Sequence, residues 1–317
     1  MLTSRSMLAA LFAGMLISCC AALAQDYPSK PIRIFTPQAG ASTDFTSRLI
    51  AQGTSATLGQ RMVIEGRAIV GVEMVAQAAP DGYMLLHYTN PLWLMPLFQE
   101  NVPWDALRDF APITLTVSTP NLVTVHPSVP VKSIAELIAF AKARPGQLNY
   151  GSSSSGSANH VAAELFKSMA GVNIVRINYK GAAGAVNDII AGQLHVMFPT
   201  AGSVMQHVRN GRLRALAVTS PQPSALVPGV PTVASAGLPG YESVSMSALF
   251  APAKTPQAIT ARLHQEVTHA LRNPDVKARL FDSGVEVVAS SPEELVITIK
   301  AEMERMRKVI KAAGLHE

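Results

Sequence analysis

Four times in this chain an apolar, strand-like run ends in a turn of small residues and passes into a segment with helical spacing. The turns are TPQAGASTD (36–44), YGSSSSGSANH (150–160), YKGAAG (179–184) and PTAGS (199–203). Strands that repeatedly alternate with helices restrict the chain to an α/β architecture, here expected to hold a largely parallel sheet covered by helices. In the first part, PIRIF leads to a helix over about 44–58 with Phe45, Leu49 and Ile50 on one face, and RMVIE and YMLLHY read as further strands.

Two runs break this rhythm. FAPITLTVSTPNLVTVHPS (110–128) is long, extended and β-branched, with Pro120 inside it, and VSMSALFAP (244–252) is a second extended apolar run. Each reads as a crossing between two lobes. Between them lie helices over 133–143, 157–169, 183–191 and 204–209, and strands in QLNYG, IVRINY, LHVMF and LRALAVTS, a set whose core looks complete by itself. Helices over 256–271, 275–283 and 292–313 follow and are expected to pack on the first lobe. The division is therefore 1–24 as a leader, 25–122 as the first part of lobe 1, 123–244 as lobe 2, and 245–317 as the return crossing and last helices of lobe 1.

The leader rests on Arg5, the apolar run 7–23 and the small-x-small pattern Ala22-Leu23-Ala24, which predict export and a mature start at Gln25. Two alternatives are an anchoring helix, for which the run is short and interrupted by Gly14, and lipidation at Cys19 after Leu16-Ile17-Ser18. Both cysteines, Cys19 and Cys20, fall in this segment, so cleavage after Ala24 leaves no disulfide, thiolate ligand or cysteine nucleophile. It also removes Arg5 and no acid, taking 26 basic against 21 acidic residues to 25 against 21. That mild excess, without a basic run, argues against a nucleic-acid partner.

Small residues where a strand hands over to a helix let backbone N–H groups approach a ligand closely, and the helix N-terminus adds partial positive charge. Each turn alone is better explained as an ordinary cap, with Ser155 or Ser157 as cap candidates before the helix carrying Val161 and Leu165. Asp44 fits a structural role in the first helical turn and also a ligand contact. Four such turns, with at least one in each lobe, point to an anion-binding cleft.

Reactive chemistry is harder to place. Gly151, Ser153 and Ser155 miss the last glycine of a nucleophile elbow, His160 has no readable acid partner, and the eight histidines show no metal-ligand spacing. No P-loop or GxGxxG fingerprint follows a strand. The expectation is a chain without cofactor, metal or catalytic residues.

YPSKPIRI, STD, AAPDGY (78–83), the W-D-x-x-x-D-F pattern at 104–110, LNYGSSSSGS, YKGAAGA, AGQLHVMF and VPTVASAGLPGYE together resemble the periplasmic solute-binding receptors of tripartite tricarboxylate transporters, the Bug receptor family, over nearly the whole chain. The resemblance implies a two-lobed type II periplasmic-binding fold with a two-crossing hinge. It also implies a monomer that closes on a small organic anion and docks on a membrane permease or a sensor. Carried onto this sequence, the ligand contacts are Gly40, Ala41, Ser42, Thr43 and Asp44 in lobe 1. In lobe 2 they are Ser152, Ser153, Ser154, Ser155, Ser157, Lys180, Gly181, Ala182, Pro199, Thr200 and Ala201. An enzyme on the same fold and a degenerate receptor that makes only protein contacts are the competing expectations.

The chain departs from the family pattern in places. Gly40-Ala41 replaces a glycine pair, the glycine-rich loop after Glu65 is shortened to GRAIVG, and Pro199-Thr200 stands where Asp-Asn is usual. Bulky Trp93, Leu94 and Met95 occupy positions where small residues are common. These changes are expected to alter the pocket rim.

Overall fold

A computed structural model describes residues 27–40, 42–153 and 155–313. The leader at 1–24, Ala41 and Ser154 lie outside the described residues. In chain order the elements are β1 (Ile32–Thr36), α1 (Ser42–Leu58), β2 (Met62–Gly66), α2 (Ala68–Ala76), β3 (Met84–Thr89), α3 (Pro91–Phe98), β4 (Phe110–Pro120) and β5 (Leu122–Val125). Then come α4 (Ile134–Ala143), β6 (Asn149–Ser152), α5 (Ala158–Ala170), β7 (Val175–Asn178), α6 (Ala182–Ile190), β8 (Val196–Met197), α7 (Ala201–Arg209) and β9 (Arg214–Val218). The chain finishes with β10 (Val244–Pro252), α8 (Gln257–Arg272), α9 (Pro274–Asp282), β11 (Glu286–Val287) and α10 (Pro292–Ala313).

The strands form two sheets, one in the order β11-β4-β10-β3-β1-β2 and the other β7-β6-β8-β5-β9. Neither is largely parallel. β1 runs parallel to β2 and β3, and β6 to β7 and β8, as helical crossovers require. The other pairings, all of β10, β4, β11, β5 and β9, are antiparallel. The reason is the path of the chain: β4 leaves the first sheet, β10 returns to it, and the two lie side by side from Val244 opposite Pro120 to Pro252 opposite Phe110. Between the sheets, Asn121 N–H donates to Thr219 Oγ1 at 2.8 Å, Thr219 N–H to the Asn121 carbonyl at 2.9 Å, and Ser243 N–H to the Thr219 carbonyl at 2.9 Å. The pairing of β4 with β10 is thereby continued, through Thr219, to the edge of the second sheet.

Local signals account for several helix ends. α4 is capped from both directions: Ser133 Oγ accepts from Glu136 N–H at 3.1 Å, and the Glu136 carboxylate reaches back past the cap to accept from Lys132 N–H at 2.7 Å. α5 stops at Gly171, whose φ of 62° is the left-handed conformation that glycine takes without strain. Ser157 occupies the cap position of α5, yet its hydroxyl donates to Asn159 Oδ1 instead of accepting a helix N–H.

The core differs from expectation where the last helix packs. α10 packs on β4 and also on α3 and α5, so Leu295, Ile299 and Met306 join Trp93, Leu94, Val161 and Leu165 in one continuous apolar cluster. Helices α4 and α5 therefore share a core with the first sheet, whereas α6 and α7 close a separate one with Leu122, Met197 and Val218 through Val186, Ile189 and Val204. Trp93, Leu94 and Met95 are buried in this cluster. They do not alter a pocket rim as their bulk suggested; they fill the space between α10 and the serine-rich loop, where Gly156 stands so close that a Cβ there would lie 3.2 Å from Met95 N.

Candidate functional site: a cleft between two sheets

The first cradle is set by β1 and α1. After Thr36 the chain turns through Gly40, with φ 76°, and enters α1 at Ser42. The Asp44 carboxylate accepts from Gly40 N–H at 3.2 Å and from Arg48 Nε and Nη2 at 2.8 and 3.2 Å. The Arg48 hydrogen bonds hold it below its ordinary pKa, against the opposing effect of burial. Thr43 is buried in the same turn. The shortened loop after Glu65 supports the cradle from beneath: Arg67 N–H donates to the Thr36 carbonyl at 2.9 Å and Ala68 N–H to the Pro37 carbonyl at 2.8 Å.

A buried chain of polar groups fixes α1 to the crossing strands. Ser47 Oγ lies 2.7 Å from His87 Nδ1, and His87 Nε2 lies 2.8 Å from Thr116 Oγ1. Thr116 donates its hydroxyl proton to the Ser247 carbonyl at 2.7 Å, so it accepts from Nε2–H and leaves Nδ1 to accept from Ser47. Burial pushes His87 down to about 4, and the ring is neutral at ordinary pH. This Ser–His pair has the spacing of a nucleophile and its base, but Ser47 is wholly buried and the ring's other nitrogen faces a threonine instead of a carboxylate.

In the second sheet the serine-rich loop is held by Arg176, whose guanidinium donates to Ser152 Oγ at 2.8 Å, the Ser153 carbonyl at 3.0 Å and Ser155 Oγ at 3.2 Å. Ser153 and Ser157 both donate to Asn159 Oδ1. Gly181 is the extended cap residue of α6 and Ala182 begins the helix. Thr200 caps α7, where Ser203 Oγ donates to its carbonyl at 2.7 Å, and the Pro199 carbonyl accepts from Leu122 N–H at 2.8 Å.

These loops open onto one cleft of about 790 Å³. Of the residues singled out from the sequence, Gly40, Ser42, Thr43, Ser153, Ala182 and Thr200 line it. Asp44, Ser152, Ser155 and Ser157 are buried and hydrogen-bonded to Arg48, to Arg176 of β7 (Ser152 and Ser155) and to Asn159, respectively; Ala201 is buried at the start of α7, and Lys180 and Gly181 are exposed beside Ala182. The N-termini of α1, from the first sheet, and of α6 and α7, from the second, therefore face the same space, each with the partial positive charge of its first turn.

Sequence reasoning missed Thr89, Thr119, Ser245, Ser247, Ser283, Gly284 and Val285, which also line the cleft. A signal existed for two of them: Ser245 and Ser247 alternate with Val244 and Met246 along β10, the period-2 mark of a strand with one polar face. Nothing local marks Ser283 and Gly284, which meet α7 across the cleft; a Cβ on Gly202 would lie 2.8 Å from the Ser283 carbonyl oxygen. Among the described residues the cleft lining contains no charged side chain, no group of three or more potential metal ligands occurs, and no helix is long and apolar enough to cross a membrane.

The fold and cleft have known counterparts. The chain is 34% identical over 290 residues to a protein from the tcbD-tcbE intergenic region of a Pseudomonas species, covering 90% of this chain and 86% of that one. It is 32% identical to the Bordetella pertussis protein BugT, over 92% and 91%. Among solved structures, an R. palustris protein with adipate superposes with a TM-score of 0.82 at 34% identity, covering 91% of this chain and 99% of that one. MatC of Rhodopseudomonas palustris, with bound malate, does so with 0.79 at 27% identity, over 90% and 100%. The profile of the tripartite tricarboxylate transporter family receptors matches residues 46–315. With that profile spanning most of its length, and two sheets joined by paired crossings around a cleft of helix N-termini, the chain belongs to the tripartite tricarboxylate transporter receptor family, the Bug solute-binding proteins.

Proposed function

We propose that this protein is a periplasmic, non-catalytic receptor that captures a small organic carboxylate between its lobes and delivers it to a membrane permease of the tripartite tricarboxylate type or to a sensor. The observation that carries the reading is the convergence of helix N-termini from both sheets on one cleft rich in hydroxyl side chains. Relatives whose structures hold adipate and malate, and a structural neighbour described as a periplasmic binding protein, support the ligand class and the compartment. In this reading residues 25–122 with 245–317 form one lobe and 123–244 the other. They rotate about the junction of Asn121, Thr219 and Ser243, and the seat of α10 on α3 and α5 limits how far they open.

Thr43→Val tests the first cradle, because it keeps the shape of the buried side chain and removes its hydroxyl. Titration calorimetry with adipate and malate should show affinity lower by roughly ten- to a hundredfold, the equivalent of one hydrogen bond to a charged group at about 1.5 to 3 kcal/mol. Ser153→Ala should weaken binding from the other lobe. Circular dichroism should remain native for both, since losing one hydroxyl hydrogen bond costs only about 0.5 to 1.5 kcal/mol. Wild-type affinity in both variants overturns the assignment of this cleft, and chemical conversion of the recovered ligand overturns the non-catalytic reading.

A further inference from the structure

We infer that Arg176 is a positioning residue for the ligand site: from outside the cleft its guanidinium fork holds the serine-rich loop in the form that binds, and it does so by geometry, not by charge. This rests on the carboxylate-receptor reading above and adds to it the group that shapes the second cradle.

Arg176 lies in β7, the edge strand of the second sheet, directly opposite Tyr150 of β6. Ser152 follows two residues after Tyr150 and shares its face of the sheet. The half-buried guanidinium reaches along that face to the end of β6 and into the loop beyond. Nε donates to Ser152 Oγ at 2.8 Å, Nη2 to the Ser153 carbonyl at 3.0 Å and Nη1 to Ser155 Oγ at 3.2 Å, while Nη2 also meets Asn178 Oδ1 at 3.4 Å. Ser152 relays the contact, since its hydroxyl donates in turn to the Ser153 carbonyl at 3.3 Å. On its other side the loop hangs from α5, where Ser153 and Ser157 donate to Asn159 Oδ1 and Gly156 N–H donates to His160 Nδ1 at 3.1 Å.

Among the described residues, Ser153 lines the cleft, whereas Ser152, Ser155 and Arg176 do not. The grip therefore acts on an anion through the loop, in two ways. It keeps the Ser153 carbonyl oxygen, which would repel a carboxylate, engaged with a cation outside the lining. It also occupies the hydroxyls of Ser152 and Ser155, so that Ser153 is the serine presented to the cleft. These acceptors, spread over 152–155, need donors in fixed directions. A planar guanidinium supplies them, and an ammonium on a flexible stem does not.

Titration calorimetry of the full mature chain with adipate and malate provides the test, with circular dichroism as the folding control. Arg176→Gln should lower the affinity for whichever acid binds by at least about tenfold. Arg176→Lys keeps the charge and should lose nearly as much. Methylguanidinium added to Arg176→Ala should recover part of the affinity and leave the wild type unchanged. Amide hydrogen exchange without ligand should quicken in the peptide covering 150–160 of the Gln and Lys variants and stay slow in α10. Ser152→Ala is the milder variant, and it keeps the test open if the arginine variants do not fold. It should weaken binding although Ser152 is outside the lining, and in the Arg176→Gln background it should add almost nothing, because the two residues act through one contact. Wild-type affinity in Arg176→Gln, in Arg176→Lys or in Ser152→Ala overturns the inference and leaves the receptor reading intact, as does lost affinity with unchanged exchange in the loop. Failure of the wild type to bind either acid overturns both.

Discussion

Gly66→Ala should abolish most ligand binding while leaving the protein folded. A methyl group on Gly66 would lie 2.5 Å from Ala39 N and 3.1 Å from the Gln38 carbonyl carbon, and these are backbone atoms that cannot rotate away as a side chain would. The loop that must move is the first cradle itself, the turn from Pro37 to Gly40 that positions the start of α1. Gly66 ends edge strand β2 opposite Thr36, where displacement of an exposed loop costs the core little. Shifting the cradle disturbs two or more hydrogen bonds to a bound carboxylate at about 1.5 to 3 kcal/mol each. Affinity should therefore fall by at least about a hundredfold. Calorimetry against wild type, with thermal unfolding as the folding control, measures both halves of the expectation. Unchanged affinity would show that the cradle and the shortened loop are not mechanically joined.

The second large effect concerns stability and has a pH signature. Glu302 of α10 is buried and accepts from Asn90 Nδ2 at 2.7 Å and Trp93 Nε1 at 2.6 Å, while Asn90 Oδ1 accepts from Met246 N–H of the return crossing at 2.7 Å. Burial pushes its pKa up to about 7 from the ordinary 4.5, with the Trp93 and Asn90 hydrogen bonds and Arg305 opposing the rise and Glu242 adding to it. Below about 4.5 the group is protonated in both folded and unfolded chains. Between that value and about 7 the folded protein keeps a proton that the unfolded chain has released, so this contribution to stability is present at low pH and is lost as pH rises through 7. Glu302→Ala leaves two buried N–H donors unpaired and opens a cavity, a cost of about 3 to 5 kcal/mol near pH 5. By pH 8 that cost should have shrunk by roughly 2 to 3 kcal/mol, because the wild-type chain then carries the penalty of a buried charge. Urea unfolding of both proteins at pH 5, 6.5 and 8 tests this. A cost that stays constant across the range rules out the titration of Glu302.

Both effects come from contacts whose two halves lie in different parts of the sequence, and this separates what was readable from what was not. The helices beginning near Ser42, Ser157, Ala182 and Ala201 were visible because apolar spacing, small turn residues and caps act over a few neighbouring residues. The crossing runs were visible too, since 110–128 and 244–252 are too long, extended and β-branched for a turn. α2 and α3 escaped notice: α2 starts immediately after a shortened loop, and α3, PLWLMPLF, contains Pro96 and is apolar on every face, so it shows no helical stripe.

The sequence by itself determined that this is an α/β chain with two long crossings and several small-residue cradles, because backbone conformation and helix polarity are local properties. Only the tertiary structure decided which cradles share a space. Ser153 reaches the cleft, while Ser152, Ser155 and Ser157 are spent on Arg176 and Asn159, although all four look alike along the chain. It also decided that Gly202 meets Ser283 and Gly284, that Asn90 and Trp93 meet Glu302, and that both long crossings contribute hydroxyls to the cleft wall. Such choices depend on how the sheets and helices of the described residues pack, where a side chain's neighbours come from eighty to more than two hundred residues away and no local pattern records them.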